Sequence, residues 1–227
     1  MARTLDPAAH SVRRDAFLDA AELLIRTRGY DQMTVQDVLD EVGSSKGAFY
    51  HYFGSKEALL EAVIERMTGQ ATAVIDPIVS DATLPAAVKL QAVFSAGGQL
   101  KAERSDLVLG LIRSWYSAQN DLVRMRVVRS GARWLGPVLA AIVRQGVAEG
   151  TFSVTSPDHT ASILVSLLFG SGDTFGELVL RRGSDGVAFT EAEHYIHAYD
   201  EAVERVLGLA PGSFVLIDDS ALHVWFD

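Results

Sequence analysis

Apolar residues recur at helical spacing along almost the whole of this 227-residue chain. Phe17, Ala20, Ala21, Leu24 and Ile25 return at three- and four-residue intervals and predict a helix from about Val12 to Arg28, ended by Gly29. Val35, Val38, Leu39 and Val42 form a shorter stripe between Thr34, a good N-cap, and Gly43, a good helix stop. Asp37 in its first turn favours the positive helix end. A third short helix opens at Lys46 and Gly47, capped by Ser44 or Ser45, and runs to Phe53; Phe49 and Phe53, four apart, are expected to face inward. Ser55 caps a long fourth helix carrying Ala58, Leu59, Ala62, Val63 and Met67 toward Asp76 and Pro77.

Further helices are expected at about 85–101, 103–118, 121–149, 157–182 and 190–208. Pro137 should kink or break the third of these. Gly150 with Thr151 and Phe152 reads as a helix stop, and Ser156 before Pro157 as a helix start. Thr190 and Glu193 have capping-box spacing. No alternating strand pattern precedes residue 211 and no segment repeats. The fold class is all-α: an N-terminal three-helix unit with helix-turn-helix layout (1–54, with 1–11 as a flexible arm) and a larger helical C-terminal unit (55–210). A tail (211–227) remains. Its apolar run from Phe214 to Ile217 and its Trp225 and Phe226 should be buried, as a short strand or an extra helix.

Helix, glycine turn, helix is the layout in which the second helix enters a DNA major groove. The second helix here carries matching chemistry. Ser45 and the helix N-terminus offer donors to a phosphate, Lys46 a charge, and Gly47 room for close backbone approach. Tyr50 and His51 can reach phosphates or base edges, and Lys56 lies in the first turn of the next helix. Each residue alone also fits a plain helical corner with ordinary caps and a solvated lysine; the ordered combination points to DNA.

The segment from Phe17 to Leu60 resembles the N-terminal domain of the TetR/AcrR family of bacterial transcriptional regulators. The likeness is densest from Gly43 to Glu57, GSSKGAFYHYFGSKE. It covers about the first quarter of the chain; the remainder matches in length and helical character alone. The resemblance implies an all-helical, dimeric, ligand-responsive repressor, with 1–54 as its helix-turn-helix DNA-binding domain and 55–210 as its helical effector-binding and dimerisation domain. It places DNA contacts on Thr34, Ser45, Lys46, Gly47, Tyr50, His51 and Lys56, with Ser44 of the turn beside them. Ser44 stands where the family commonly has a small apolar residue.

Composition narrows the classes. The chain is 48% hydrophobic, enough for a core, and it has no Cys, which excludes disulfides and thiolate metal sites and suits a reducing cytoplasm. No cationic leader and no apolar stretch of membrane-spanning length is evident, so a soluble cytoplasmic protein is expected, with no membrane partner. The net charge of −9 lies almost entirely beyond Lys56. Arg3, Arg13, Arg14, Lys46 and Lys56 could gather into a local basic patch, which matters more to a phosphate than global charge does.

The last two long helices read as an interface. Leu164, Leu167 and Leu168 with nearby glycines on one, and Tyr195, Tyr199 and Val203 on the other, carry more apolar surface than one exposed face should. The alternative is an internal helix pair. The resemblance favours a four-helix homodimer interface and a palindromic double-stranded operator. Bulky aromatics among polar groups suggest a small-molecule site for a largely apolar effector: Arg113, Trp115, Tyr116, Asn120, Trp134, Phe169 and Asp173. Core packing is the competing explanation for each aromatic.

Enzyme-like patterns do not hold. Residues 43–47 spell a nucleophile elbow, but a helix precedes them where a strand is required. Residues 170–176 miss the spacing of a dinucleotide loop. His194 and His197, with Glu191 and Glu193, make a weak metal pattern. No catalytic residue, metal or cofactor is expected. The competing function is a helical small-molecule binding protein whose N-terminal unit is an interaction surface.

Overall fold

The computed structural model describes residues 7–115, 121–182 and 187–226. They form α1 (Pro7–Arg28), α2 (Val35–Val42), α3 (Lys46–Tyr52), α4 (Lys56–Ser80), α5 (Ala86–Ala102), α6 (Ser105–Trp115), α7 (Asp121–Glu149), α8 (Pro157–Leu180), α9 (Val187–Leu207) and α10 (Asp219–Phe226). Among the described residues there is no strand. The chain divides into two compact units, Met1–Met67 with Asp106–Val127, and Thr68–Ser105 with Val128–Asp227.

In the first unit α1 begins at Pro7, five residues before the expected start, so 7–11 are helical rather than part of an arm. Proline suits this place because the first-turn N–H groups lack intrahelical partners in any case. Phe17, Leu18, Ile25, Met33, Val38, Phe49, Leu59 and Val63 form the centre of the core. The Phe17 ring meets Phe49 edge-on at 5.8 Å and Phe53 at 6.1 Å, which locks α3 against α1. Leu107 and Leu111 of α6 complete this core. Between them Gly110 brings two backbones together: a Cβ there would lie 2.5 Å from the Ile25 carbonyl oxygen. Arg66 of α4 bridges Asp19 at 2.7 Å and Glu22 at 2.6 Å on α1.

The second unit is built around Leu90, Val93, Leu139, Ile142, Val143, Leu164, Tyr199, Val203 and Leu207. Two prolines behave differently from expectation. α4 passes through Pro77 and runs one further turn to Ser80, and α7 passes through Pro137 unbroken. A proline costs its own hydrogen bond and crowds the preceding turn. Near a helix end, or on a solvated face such as that of exposed Pro137, the surrounding packing outweighs that cost. α9 starts at Val187, so Thr190 is already helical and the expected cap at that residue is not formed. The stop after α7 is as expected: Gly150 takes φ 75° and Phe152 folds back over Gly146.

α8 is long and apolar enough to cross a membrane by length and composition alone, contrary to the expectation that no such segment exists. Burial explains part of that composition, since Ala161, Leu164, Val165, Leu178 and Val179 line the chain's own core.

The tail forms the helix α10 and no strand. Leu222 is buried with Leu178 and Ala192, against Phe175, Phe189 and Tyr195. Upstream of α10 the backbone is held by side chains. Glu204 Oε1 accepts from the Ser213 and Phe214 N–H groups at 2.8 and 3.0 Å. Asp200 Oδ1 accepts from Leu216 at 2.7 Å, and Gln91 both donates to and accepts from the Val215 backbone. Phe214 meets Phe94 edge-on at 5.2 Å.

Burial pushes the Asp200 carboxyl up to about 6, against the Leu216 N–H and the His197 charge, with Glu204 reinforcing the rise. A folded-state value above the ordinary 3.8 means the fold binds this proton more tightly than the unfolded chain. That stabilisation is complete below about pH 4 and is lost as pH rises through about 6. Asp200→Asn should therefore unfold at a higher temperature than the wild type at pH 7.5, by about 3 °C or more. The gap should close as pH falls toward 4, as measured by differential scanning calorimetry across that range.

Candidate nucleic-acid interface

The interface begins with how α2 starts and stops. Thr34 adopts an extended conformation, and its hydroxyl accepts from the Asp37 N–H at 3.1 Å. Asp37 returns the contact, its Oδ2 accepting from the Thr34 N–H at 2.8 Å and from the Thr34 hydroxyl at 2.6 Å. Arg28 reaches the other oxygen at 3.1 Å. The Thr34 hydroxyl and N–H, and then Arg28, hold the Asp37 carboxyl below the usual carboxylate range. Thr34 is exposed, as a contact residue must be, but its hydroxyl is already engaged in the cap. At the other end Gly43 takes φ 63°, and Ser44 N–H donates back to the Leu39 carbonyl at 3.0 Å.

That left-handed turn launches α3. Ser45 is the N-cap, its Oγ accepting from Ala48 N–H at 3.3 Å. Phe49 has 0% of its surface exposed, whereas its neighbour Tyr50 has 53%. The helix therefore turns one side to the core and the other outward. Ser45, Lys46, Gly47, Tyr50 and His51 are all exposed. A Cβ at Gly47 would meet nothing within 4 Å, so no packing inside the chain requires glycine there. Glycine costs a helix about 1 kcal/mol relative to alanine.

Ser44 and Lys56 differ from the others. The Ser44 hydroxyl is buried and has no hydrogen-bond partner, so it does not join the exposed row. Lys56, half-buried, lies with its Nζ 4.2 Å from the centre of the Tyr30 ring and 3.4 Å from the Asp31 carbonyl oxygen. Burial pushes its ammonium below the ordinary lysine value, against the charges of Asp31, Glu57 and Asp37. Ser55 caps α4 beside it, accepting from Ala58 N–H at 3.2 Å.

Two α1 residues join this region. His10 packs on Tyr52 at 4.6 Å and approaches His51 at 5.8 Å, and the Arg14 guanidinium sits 5.7 Å from the centre of the Phe53 ring. His10 was assigned to a flexible arm on the sequence. Its seven-residue spacing from Phe17 could have revealed it, since that spacing puts both on one helical face.

The expected effector residues are less gathered. Tyr116 and Asn120, and the side chains of Trp115 and Asp173, lie outside the described residues. Arg113 is exposed and belongs to the first unit. Trp134 and Phe169 are half-buried against the core of the second unit. Phe169 presses on the α7 backbone, where a Cβ at Gly131 would come within 2.4 Å of its ring. The expected interface residues Leu164, Tyr199 and Val203 are buried in that same core, with Leu167 and Leu168 packed against it. Tyr195 packs in the cluster beneath α10. Among the described residues no group of three or more His, Asp or Glu side chains is placed to hold a metal, and that includes His194 and His197.

A capped helix, a left-handed glycine turn and a short helix with an exposed polar row constitute a helix-turn-helix domain of the DNA-reading class. Residues 17–63 match the family model described as bacterial regulatory proteins, tetR family. The HTH-type transcriptional repressor KstR2 of Mycolicibacterium smegmatis is 28% identical over 64% of this chain and 70% of its own length. The HTH-type transcriptional repressor DhaR of a Mycobacterium species, strain GP1, is 27% identical over 61% of this chain and 70% of its own. In fold, the chain is similar to a TetR-family transcriptional regulator from Pectobacterium atrosepticum. The TM-score is 0.65 at 17% identity, covering 91% of this chain and 99% of that one. Residues 17–63 are thus similar to the DNA-reading domain of that family, and the rest of the chain shares its fold.

The buried Ser44 hydroxyl leaves a polar group without a partner, a situation that costs about 1–3 kcal/mol. Ser44→Ala should raise the unfolding free energy by about 1 kcal/mol in urea titration while leaving DNA affinity within about twofold.

Proposed function

We propose that the chain is a ligand-responsive transcriptional repressor. It reads a palindromic operator in duplex DNA as a homodimer in the cytoplasm, and a small, largely apolar effector releases it. The observation that carries the reading is the division of α3 between a fully buried Phe49 and the exposed row of Ser45, Lys46, Gly47, Tyr50 and His51. A row of hydroxyl, ammonium, phenol and imidazole groups around a glycine suits a phosphate-lined groove. Gly47 supports the reading further, because an exposed helical glycine with open space around it leaves room for a partner's close approach.

Dimerisation would use the outward side of α8. Ser162, Ile163, Ser166 and Gly170 are all exposed, at spacings of three and four. They place small side chains in one stripe beside Ile163, which is 53% exposed. Ligand and DNA would each weaken the other's binding, as linkage requires.

The deciding experiment is fluorescence anisotropy of the full chain on the DNA flanking its own gene, with scrambled duplex as control. Specific binding should be abolished by Lys46→Ala/Tyr50→Ala, and Lys46→Ala alone should flatten the salt dependence by about 1 per subunit. No preference over scrambled DNA, there or in a genomic selection of bound fragments, would favour the small-molecule binding protein instead. Separately, Ile163→Asp should convert the dimer to a monomer in sedimentation velocity and weaken operator binding in parallel.

A further inference from the structure

Lys56 is a DNA-contact candidate whose ammonium is held by the rest of the first unit. Gly29 ends α1 in the left-handed conformation, φ 81°, and the next residue, Tyr30, turns into the core with 3% of its surface exposed. Met33 N–H closes the turn on the Tyr30 carbonyl at 3.2 Å. The ring is thus fixed by core packing and by a closed turn. The Asp31 carbonyl follows immediately and accepts from Lys56 Nζ at 3.4 Å. With the ring centre 4.2 Å away, the ammonium sits on an aromatic face beside a carbonyl oxygen, two features that attract a cation.

A lysine at the start of a helix otherwise samples many rotamers, and binding a phosphate must freeze them. Here the freezing is done in advance by the fold.

We propose that Tyr30 is a positioning residue for DNA binding: its buried ring and the adjoining Asp31 carbonyl hold the Lys56 ammonium ready to neutralise a duplex phosphate. The inference rests on the DNA-reading function proposed above and adds to it a residue that touches no DNA itself. Tyr30 acts through the electron-rich face of its ring, so an electron-poor ring of the same shape should fail where phenylalanine succeeds.

The test uses the full chain and a 40-base-pair duplex enriched from a random library by the wild type. Tyr30→Phe should bind within about twofold of the wild type, because the ring face is kept. Pentafluorophenylalanine at position 30, which keeps the shape and reverses the ring's charge distribution, should bind about fivefold more weakly at unchanged melting temperature. Lys56→Met should flatten the slope of log affinity against log salt by about 1 per subunit. In the Lys56→Met background, exchanging phenylalanine for its fluorinated analogue should change nothing further.

Equal binding by the two ring variants, or penalties that multiply in the double variant, would overturn the role of Tyr30 while leaving the DNA-reading function intact. Failure of the wild type to enrich any duplex would overturn both. In that event an upfield ring-current shift of the Lys56 side-chain protons, lost in Tyr30→Leu, would show that the contact exists but serves stability alone.

Discussion

Burial of the Phe49 ring is the contact on which the rest of the reader depends. α3 has only seven residues and could not persist alone in water, where the first turn of a helix costs more than it returns. Its existence and its orientation are imposed by the unit around it. Phe17 and Phe53 close on Phe49, Tyr52 adds its ring to Phe17 at 5.8 Å, and the opposite side is left outward by default. The polar row is therefore a by-product of hydrophobic packing on the other side of the same helix. The Thr34–Asp37 cap and the left-handed Gly43 set where α3 begins, and the aromatic core sets how it is rotated.

Polar groups in the second unit hold chain segments that packing alone would leave loose. The N-cap of α5, Pro85, provides no side-chain cap, and Glu149 of α7 supplies one, accepting from Ala86 N–H at 2.9 Å. Lys89, though buried, donates to the Val79 carbonyl at 2.7 Å, in the last turn of α4. That is the negative end of a helix, where a cation is stabilised. Asp200 and Glu204, one turn apart on α9, do the corresponding work for the tail by collecting its backbone N–H groups. Burial is what raises the Asp200 carboxyl, and the neighbouring Glu204 carboxylate adds to that rise.

The N-terminal domain was largely legible because its signals are local. Caps, glycine stops and apolar spacing are read within a few residues, and Thr34, Gly43, Ser45, Phe49, Phe53 and Ser55 all sit in the structure as that reading predicts. What could not be read depends on contacts distant in sequence. Ser44 looks like any turn serine until the surrounding chain buries its hydroxyl, and Lys56 looks solvated until Tyr30, 26 positions earlier, comes beneath it. α8 and α9 show the same limit. Their periodicity marks apolar sides, but the spacing cannot say whether Leu164, Tyr199 and Val203 face their own core or a partner; they face their own core. The choice between strand and helix for the tail was equally out of reach, since α10 packs on Phe175 and Leu178 of α8 and on Phe189, Ala192 and Tyr195 of α9.

Gly110 makes the spacing of α1 and α6 a matter of one missing carbon atom. With backbone touching backbone, the helix pair has no side-chain layer to absorb a change, and rotamer adjustment is unavailable as a response. Most core positions tolerate drift because neighbours repack around a gained or lost methyl group. This one has no such latitude: the Ile25 carbonyl belongs to the main chain of α1, so accommodation would require one whole helix to slide. A random mutational library of this chain should therefore be depleted at Gly110 more sharply than at the leucines beside it.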